Sequence, residues 1–194
     1  MLKIGIVTGS TRPGRNNKAV ADWVLQAAQK RADAEYELVD IADYDLPLLD
    51  EPMPAVMGGY SHPHTRRWAA KIAELDAFVF VTPEYNHGLP AALKNAVDYL
   101  YREWNDKAAG LVSYGGNGNG SRAVEQLRAV LAAVKIAAVR DQVGLSLFSD
   151  FVNLREFQPQ PQNEKALHAM LDQVVRWGGA LQSVREPQTE VTAA

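Results

Sequence analysis

Side chains that could bind a phosphate monoester are concentrated between an apolar strand at residues 2–7 and the helix that follows it. Hydroxyl, guanidinium and carboxamide groups favour an anion at a helix N-terminus, where backbone N–H groups and the helix dipole add to them. The alternative is a polar turn in which Asn16 or Asn17 caps the helix, but a cap requires one such residue and not a cluster. The candidate phosphate ligands are Ser10, Arg12, Arg15, Asn16 and Asn17.

Two nucleotide-binding motifs fit this segment poorly. Gly9 and Gly14 have the spacing of a Walker A motif, but Arg15 and Asn16 stand where that motif needs Lys and Ser or Thr. No G-x-G-x-x-G sequence follows the first strand, so the dinucleotide-binding fingerprint is absent as well. The segment therefore indicates a phosphate site of another kind.

A second group of candidates follows the run 77–82, which is apolar enough to be a strand buried on both faces. In open α/β sheets, ligands bind outside the carboxyl ends of such strands. A strand-to-helix turn shaped by proline and asparagine is the alternative, and these residues alone do not choose between the two. The candidates are Pro83, Glu84, Tyr85 and Asn86.

A glycine-rich segment at 113–122 is the third candidate. Four glycines within six residues permit positive φ and close approach of the backbone to a ligand. Ser121 stands where a dinucleotide motif has its third glycine, and Leu111 where a nucleophile elbow has its first, so neither motif is present. A flexible turn is the alternative. The candidate contacts are Ser113, Gly115 and Gly116.

Alternating strands and helices position these segments and predict a doubly wound α/β fold with a parallel sheet. Hydrophobic periodicity places the strands at 2–7, 36–40, 77–82, 108–113 and 136–139. Right-handed crossovers restrict the strand order, and we expect 2-1-3-4-5, which brings the three candidate segments to one edge. We predict a single domain at 1–185 and a polar tail at 186–194.

The proline-rich segment 41–64 is too broken for regular structure, so it is either a functional loop or an insertion. Three aromatic residues lie at and beyond the end of the third predicted helix, whose apolar positions run from 89 to 100. They could pack in the core, line a substrate pocket or meet a neighbouring subunit. Because aromatic residues are enriched at interfaces, we predict an interface for Tyr99, Tyr101 and Trp104.

The composition excludes several classes of function. The chain of 194 residues has 20 basic and 23 acidic side chains, a net charge of −3, without the basic stripe of a nucleic-acid binder. Because there is no cysteine, disulfides, thiolate metal sites, iron–sulfur clusters and cysteine nucleophiles are excluded. His62 and His64 flank a proline with no evident third ligand, so we predict no metal site. No leader peptide or membrane span is evident, and we expect a cytoplasmic protein.

The segment 83–88, continued through 93–98, and the Gly-Ser-x-Arg sequence after the first strand together resemble the NAD(P)H-dependent FMN reductases. This family has a flavodoxin-like fold. The resemblance implies that the FMN phosphate contacts Ser10, Arg12 and Asn17. At position 15, where this chain has arginine, the family often has serine. It also implies backbone contacts from 83–88 to the flavin ring, a glycine-rich loop closing over the flavin edge, and His87 beside the ring.

The resemblance further implies hydride transfer from NADPH or NADH to bound FMN, and then to a small-molecule acceptor such as a quinone, free flavin, an azo or nitro compound or chromate. Because the cofactor carries the chemistry, we nominate no catalytic side chain. A homodimer or homotetramer is also implied. Two alternatives are a flavodoxin-like FMN electron carrier without NAD(P)H turnover, and a flavin-free sensor or scaffold. The reductase motif disfavours the first, and the intact Ser10 and Arg12 disfavour the second.

Overall fold

The computed structural model describes residues 1–185, and the tail predicted at 186–194 lies outside them. Five parallel strands form one sheet in the order β2-β1-β3-β4-β5, which confirms the predicted order. The strands are β1 (Lys3–Thr8), β2 (Glu35–Asp40), β3 (Ala77–Pro83), β4 (Lys107–Gly115) and β5 (Ile136–Ser146). The helices are α1 (Asn17–Gln29), α2 (Pro63–Ala73), α3 (Ala91–Asp98), α4 (Ser121–Ala133) and α5 (Pro161–Arg185). That 1–185 is a single domain stays a prediction.

Helices cover both faces of the sheet. α1 and α5 bury one face, where the core includes Val24 and Met170. α2, α3 and α4 bury the other face, where the core includes Trp68 and Leu127. Every residue of β3 and β4 is buried, because central parallel strands are covered on both sides. This double burial explains why these strands are continuous apolar runs. No helix within residues 1–185 has the length and apolar character needed to span a membrane.

The fifth strand is longer than the predicted 136–139. It continues to Ser146 and pairs with β4 on both sides of a register shift between Ala109 and Leu111. As the edge strand of the sheet it is only partly buried, so its apolar pattern weakens beyond Val139. An antiparallel hairpin of β6 (Phe151–Val152) and β7 (Glu156–Phe157), which the sequence analysis missed, comes next.

The predicted interface of Tyr99, Tyr101 and Trp104 is wrong for two of the three residues. Tyr99 and Trp104 are fully buried, while Tyr101 is half-buried. The Trp104 ring packs edge-on against Phe78 with centroids 5.0 Å apart, and the Tyr99 hydroxyl donates to Asp50 Oδ1 at 2.9 Å. α3 ends earlier than predicted, and the chain beyond it turns back against the sheet, which takes these aromatics into the core.

Side-chain bonds order the segment between β2 and α2, which contains two short 3-10 turns at Ile41–Tyr44 and Ala55–Met57. His64 Nε2 lies 3.0 Å from Asp50 Oδ1, and the Glu51 carboxylate accepts from the backbone N–H of His62 at 3.0 Å. The two histidines therefore make hydrogen bonds within this segment. In the part of the chain that the structure describes, no group of three or more acidic or histidine side chains is placed to hold a metal.

Candidate cofactor-binding site

The segments after β1, β3 and β4 meet at the carboxyl edge of the sheet, because these three strands are neighbours in it. Ser10 Oγ and Tyr85 Oη lie 2.8 Å apart and share a hydrogen bond between the first and second segments. The backbone N–H of Glu84 donates to the carbonyl of Tyr114 at 3.0 Å and links the second segment to the third. The structure therefore brings together the three sets of residues that the sequence singles out.

Close backbone packing positions the start of the first segment. The Gly9 N–H donates to the Val81 carbonyl at 2.7 Å, and Asn17 Nδ2 donates to the same oxygen at 2.8 Å. A Cβ at Gly9 would lie 2.8 Å from that oxygen, so a side chain does not fit there. Asn17 is fully buried and anchors the beginning of α1 to β3.

α1 begins without a side-chain cap. Asn16 occupies the N-cap position but makes no capping hydrogen bond, and its Nδ2 donates instead to the Leu154 carbonyl in the β6–β7 hairpin at 2.8 Å. Asn17 is engaged with β3. The simple capping alternative is therefore not supported, and the N–H groups of the first turn are available to an anion.

The two arginines of the first segment lie in different surroundings. Arg15 is largely buried, and its Nη2 forms an ion pair with Asp40 Oδ2 at 2.5 Å. Arg12 is exposed and has no carboxylate partner among the described residues. Its guanidinium lies over the Tyr85 ring, 5.7 Å from the centroid. Arg12 thus supplies an uncompensated positive charge at the loop, whereas the charge of Arg15 is balanced by Asp40.

Two buried polar atoms of this segment lack a partner in residues 1–185, namely Arg15 Nε and Asn17 Oδ1. Buried donors and acceptors are almost always satisfied in native proteins, so a polar ligand or water at this loop would complete the hydrogen bonding of these two atoms. FMN carries both phosphate oxygens, which accept from a guanidinium, and ribityl hydroxyls, which donate to an amide oxygen. The residues present therefore fit this group.

The second segment contains a tight hairpin turn. Tyr85 and Gly88 exchange two backbone hydrogen bonds of 3.0 Å each, and the central residues Asn86 and His87 have φ of 49° and 68°. Positive φ at both central positions is typical of a type I′ turn, in which asparagine is tolerated. The N–H groups of Glu84 and Tyr85 are engaged by protein carbonyls, so the amides left for a ligand are those of Asn86 and His87 at the exposed tip.

Residues of helix α4 hold the second segment in place through hydrogen bonds. The Glu84 carboxylate accepts from the backbone N–H of Arg122 at 3.1 Å and from its Nη1 at 2.5 Å. Gln126 Oε1 accepts from Leu89 N–H at 3.2 Å, while its Nε2 donates to the His87 carbonyl at 3.3 Å. The Glu84 side chain is thus used to position the turn.

The third segment starts later than predicted, because β4 extends to Gly115. Ser113 and Gly115 are therefore strand residues, and Ser113 is fully buried with its hydroxyl donating to the Asn119 carbonyl at 2.8 Å. Gly120 has φ of 81°, and a Cβ there would lie 2.7 Å from the Ser113 Cβ. The loop folds back onto β4. Of the three candidates Ser113, Gly115 and Gly116, only Gly116 is partly exposed.

A turn after β5 forms a wall beside Gly116 that the sequence analysis missed. The Leu147 N–H donates to the Gly115 carbonyl at 2.8 Å, and Asp150 Oδ2 accepts from the Ser146 N–H at 2.7 Å. Phe148, between them, is 68% exposed, and its ring lies 3.6 Å from where a Gly116 Cβ would be. Its apolar surface therefore faces solvent at the edge of the candidate site.

A cleft of about 320 Å³ opens beside Thr11 of the first segment. It lies between the 3-10 turn that follows β2 and the start of α3. Its lining residues are Thr11, Ile41, Ala42, Asp45, Leu46, Ala92, Asn95 and Ala96. The proline-rich segment thus forms a wall of the site region.

Tyr114 lies in the core directly below the junction of the second and third segments. Burial raises the pKa of its hydroxyl, and the nearby Tyr85 adds to the effect. Tyr114 therefore stays a neutral phenol at physiological pH and does not act as a base.

Comparisons with known proteins agree with this geometry. The family described as NADPH-dependent FMN reductase matches residues 2–150. An NAD(P)H-dependent FMN reductase of Schizosaccharomyces pombe is 43% identical over 150 residues, which are 76% of this chain and 74% of the relative. An NAD(P)H:quinone oxidoreductase of Solanum tuberosum is 34% identical over 161 residues, 81% of this chain and 74% of the relative.

A solved structure supports the fold independently. The flavoenzyme NAD(P)H:(acceptor) oxidoreductase from Paracoccus denitrificans superimposes with a TM-score of 0.74 over 93% of this chain and 98% of that chain. Its sequence identity is 21%, so the likeness concerns the fold alone.

Proposed function

This chain belongs to the family of NADPH-dependent FMN reductases, and we propose that it transfers electrons from NADPH or NADH to a quinone or to free flavin. It is an NAD(P)H-dependent flavoenzyme that uses FMN. The observation that carries the proposal is the phosphate loop 9–17, where the free charge of Arg12 and the unpartnered Arg15 Nε lie at the uncapped start of α1.

The chain's own residues bind and orient the cofactor. Ser10, Arg12 and the open amides of α1 hold the phosphate, with Asn17 beside it. The free N–H groups of Asn86 and His87 donate to the polar edge of the flavin ring. FMN, when bound, supplies the hydride-accepting and hydride-donating chemistry.

No side chain of the site needs to serve as an acid or base. Glu84 is held by Arg122, and Tyr114 is buried as a neutral phenol. The exposed rim, formed by Asn86, His87 and Phe148, leaves an open surface that the nicotinamide and the acceptor occupy in turn. Binding of the two substrates in turn at one surface fits a ping-pong mechanism.

A quinone is the acceptor that we favour, because a two-electron hydride route bypasses the semiquinone. The relatives from Schizosaccharomyces pombe and Solanum tuberosum are named as an FMN reductase and a quinone oxidoreductase, which supports both acceptors. We also propose that azo and nitro compounds and chromate serve as acceptors, that the enzyme is a homodimer or homotetramer, and that it is cytoplasmic. Steady-state kcat/KM for quinones against free FMN tests the preference, and a clearly higher value for FMN rejects it.

Anaerobic spectroscopy tests the reductase function directly. The purified protein is expected to show flavin absorbance that NADPH or NADH bleaches rapidly. Flavin bands that persist with both nucleotides would instead indicate an electron carrier. A protein that stays colourless after FMN is added would contradict the whole site assignment.

A further inference from the structure

Asp40, at the carboxyl end of β2, joins three parts of the site region. Its Oδ1 accepts from the hydroxyl of Thr8 on β1 at 2.7 Å and from the N–H of Ala42 at 3.1 Å. Its Oδ2 accepts from Arg15 Nη2 at 2.5 Å. One buried carboxylate therefore connects the sheet, the phosphate loop and the 3-10 turn that lines the cleft.

The Arg15 side chain has little freedom in this arrangement. It is 17% exposed and its partner Asp40 is 10% exposed, so the pair is shielded from water. Removing one member of such a pair leaves the other uncompensated, and a charge-assisted bond between them restricts the orientation of the guanidinium. The unpartnered Nε is on this same restrained group.

We propose that Asp40 is a positioning residue for phosphate recognition, which holds Arg15 so that its free Nε donates to the cofactor phosphate. Arg12 then supplies the uncompensated positive charge that attracts the phosphate, and Arg15 supplies a directed hydrogen bond. This inference rests on the proposed phosphate site at 9–17. In the competing role, Asp40 would only neutralise the charge of Arg15 and so weaken phosphate binding.

The two roles predict opposite effects of Asp40→Asn on the apoprotein. We expect the dissociation constant of FMN, measured by quenching of flavin fluorescence, to rise about tenfold, because a hydrogen bond to a charged group is lost. Riboflavin lacks the phosphate, and its dissociation constant should change less than about twofold. Asp22→Asn, which removes an exposed ion-paired carboxylate from α1, is the matched control and should change neither.

A double-mutant cycle with Arg15→Met tests whether Asp40 acts through Arg15. In the Arg15→Met background, Asp40→Asn should no longer alter the preference for FMN over riboflavin. Equal weakening of FMN and riboflavin by Asp40→Asn would show a merely structural role, and tighter FMN binding would show charge neutralisation. Either result overturns the inference.

Arg12→Ala separates this inference from the phosphate site itself. If Arg12→Ala abolishes the preference for FMN over riboflavin while Asp40→Asn leaves it intact, the phosphate site stands and the role of Asp40 is wrong. If neither variant changes the preference, the phosphate site at 9–17 is wrong, and the inference that rests on it is lost as well.

Discussion

Ser10 Oγ lies 2.8 Å from Tyr85 Oη, so a pair of hydroxyl groups joins the proposed phosphate loop to the loop that we propose contacts the flavin ring. The backbone N–H of Arg12 also donates to Ser10 Oγ, at 3.3 Å. A serine hydroxyl has two acceptor sites and one proton. Either hydroxyl of the pair can be the donor. If Tyr85 donates, both acceptor sites of Ser10 Oγ are occupied and its proton is free for a phosphate oxygen.

Ser10→Ala and Tyr85→Phe should both weaken FMN binding, the first more than the second. We expect about a tenfold rise in the dissociation constant for Ser10→Ala and about threefold for Tyr85→Phe, because only the first removes the donor itself. Fluorescence titration measures both. Ser61→Ala, on an exposed turn far along the chain from either loop, is the control. A Tyr85→Phe effect larger than that of Ser10→Ala would contradict the proposed role of the hydroxyl pair.

Glu84→Gln should reduce stability without changing the pH dependence of catalysis. Its carboxylate holds the backbone and the guanidinium of Arg122, and we expect the free energy of unfolding to fall by about 1–2 kcal/mol. Urea denaturation measures this change, with the exposed Glu125→Gln as control. A pH profile of kcat that loses a limb in Glu84→Gln would instead identify Glu84 as an acid or base.

Phe148→Ala should alter substrate use but not cofactor binding. The ring is exposed beside Gly116, where the substrates are proposed to approach. Because a planar acceptor loses an apolar contact, we expect KM for a quinone to rise roughly three- to tenfold with kcat little changed. The dissociation constant of FMN should stay within about twofold. An equal loss in FMN affinity would place Phe148 against the cofactor instead.

Gly120→Ala should strongly destabilise the protein. Its φ of 81° and the 2.7 Å approach to the Ser113 Cβ leave no space for a side chain, and we expect a loss of about 1–3 kcal/mol or more. Gly179 in α5 has open space around its Cβ position, so Gly179→Ala should stabilise by roughly 0.5–1 kcal/mol. Thermal unfolding of the pair tests the prediction, and equal effects would refute it.

Because of Lys107, we expect the free energy of unfolding to rise with pH between about 8 and 10.5. Burial lowers the pKa of its ammonium to about 8, and Arg185 adds to this effect. Between about 8 and the ordinary value of 10.5, the unfolded chain binds more protons than the folded one, so the free energy of unfolding increases with pH. Below pH 8 both states are protonated and the contribution is constant.

The measurement is urea unfolding of the native protein and of Lys107→Met at pH 8 and pH 10. The native protein should gain up to about 2 kcal/mol relative to Lys107→Met over this interval. A difference between the two proteins that does not vary with pH would mean that Lys107 titrates normally.

The amino-acid sequence by itself determined the architecture and the edge of the sheet at which the three candidate segments meet. Central strands are apolar throughout because both of their faces are buried, and Gly9 and the residues 83–88 mark the turns that end them. Apolar runs and turn-forming residues can both be recognised from short stretches of consecutive residues. For that reason the strand order, the family and the three candidate segments could be predicted without coordinates.

Only the tertiary structure decided which partner each polar or aromatic side chain has. Arg15 meets Asp40 across 25 residues of sequence, and Phe148 reaches Gly116 through an edge strand whose apolar pattern is too weak to predict. Trp104 is likewise in the core because of the path that the chain takes after α3. Such contacts join residues that no local pattern relates, since the free energy that fixes them arises from packing between elements and not within them.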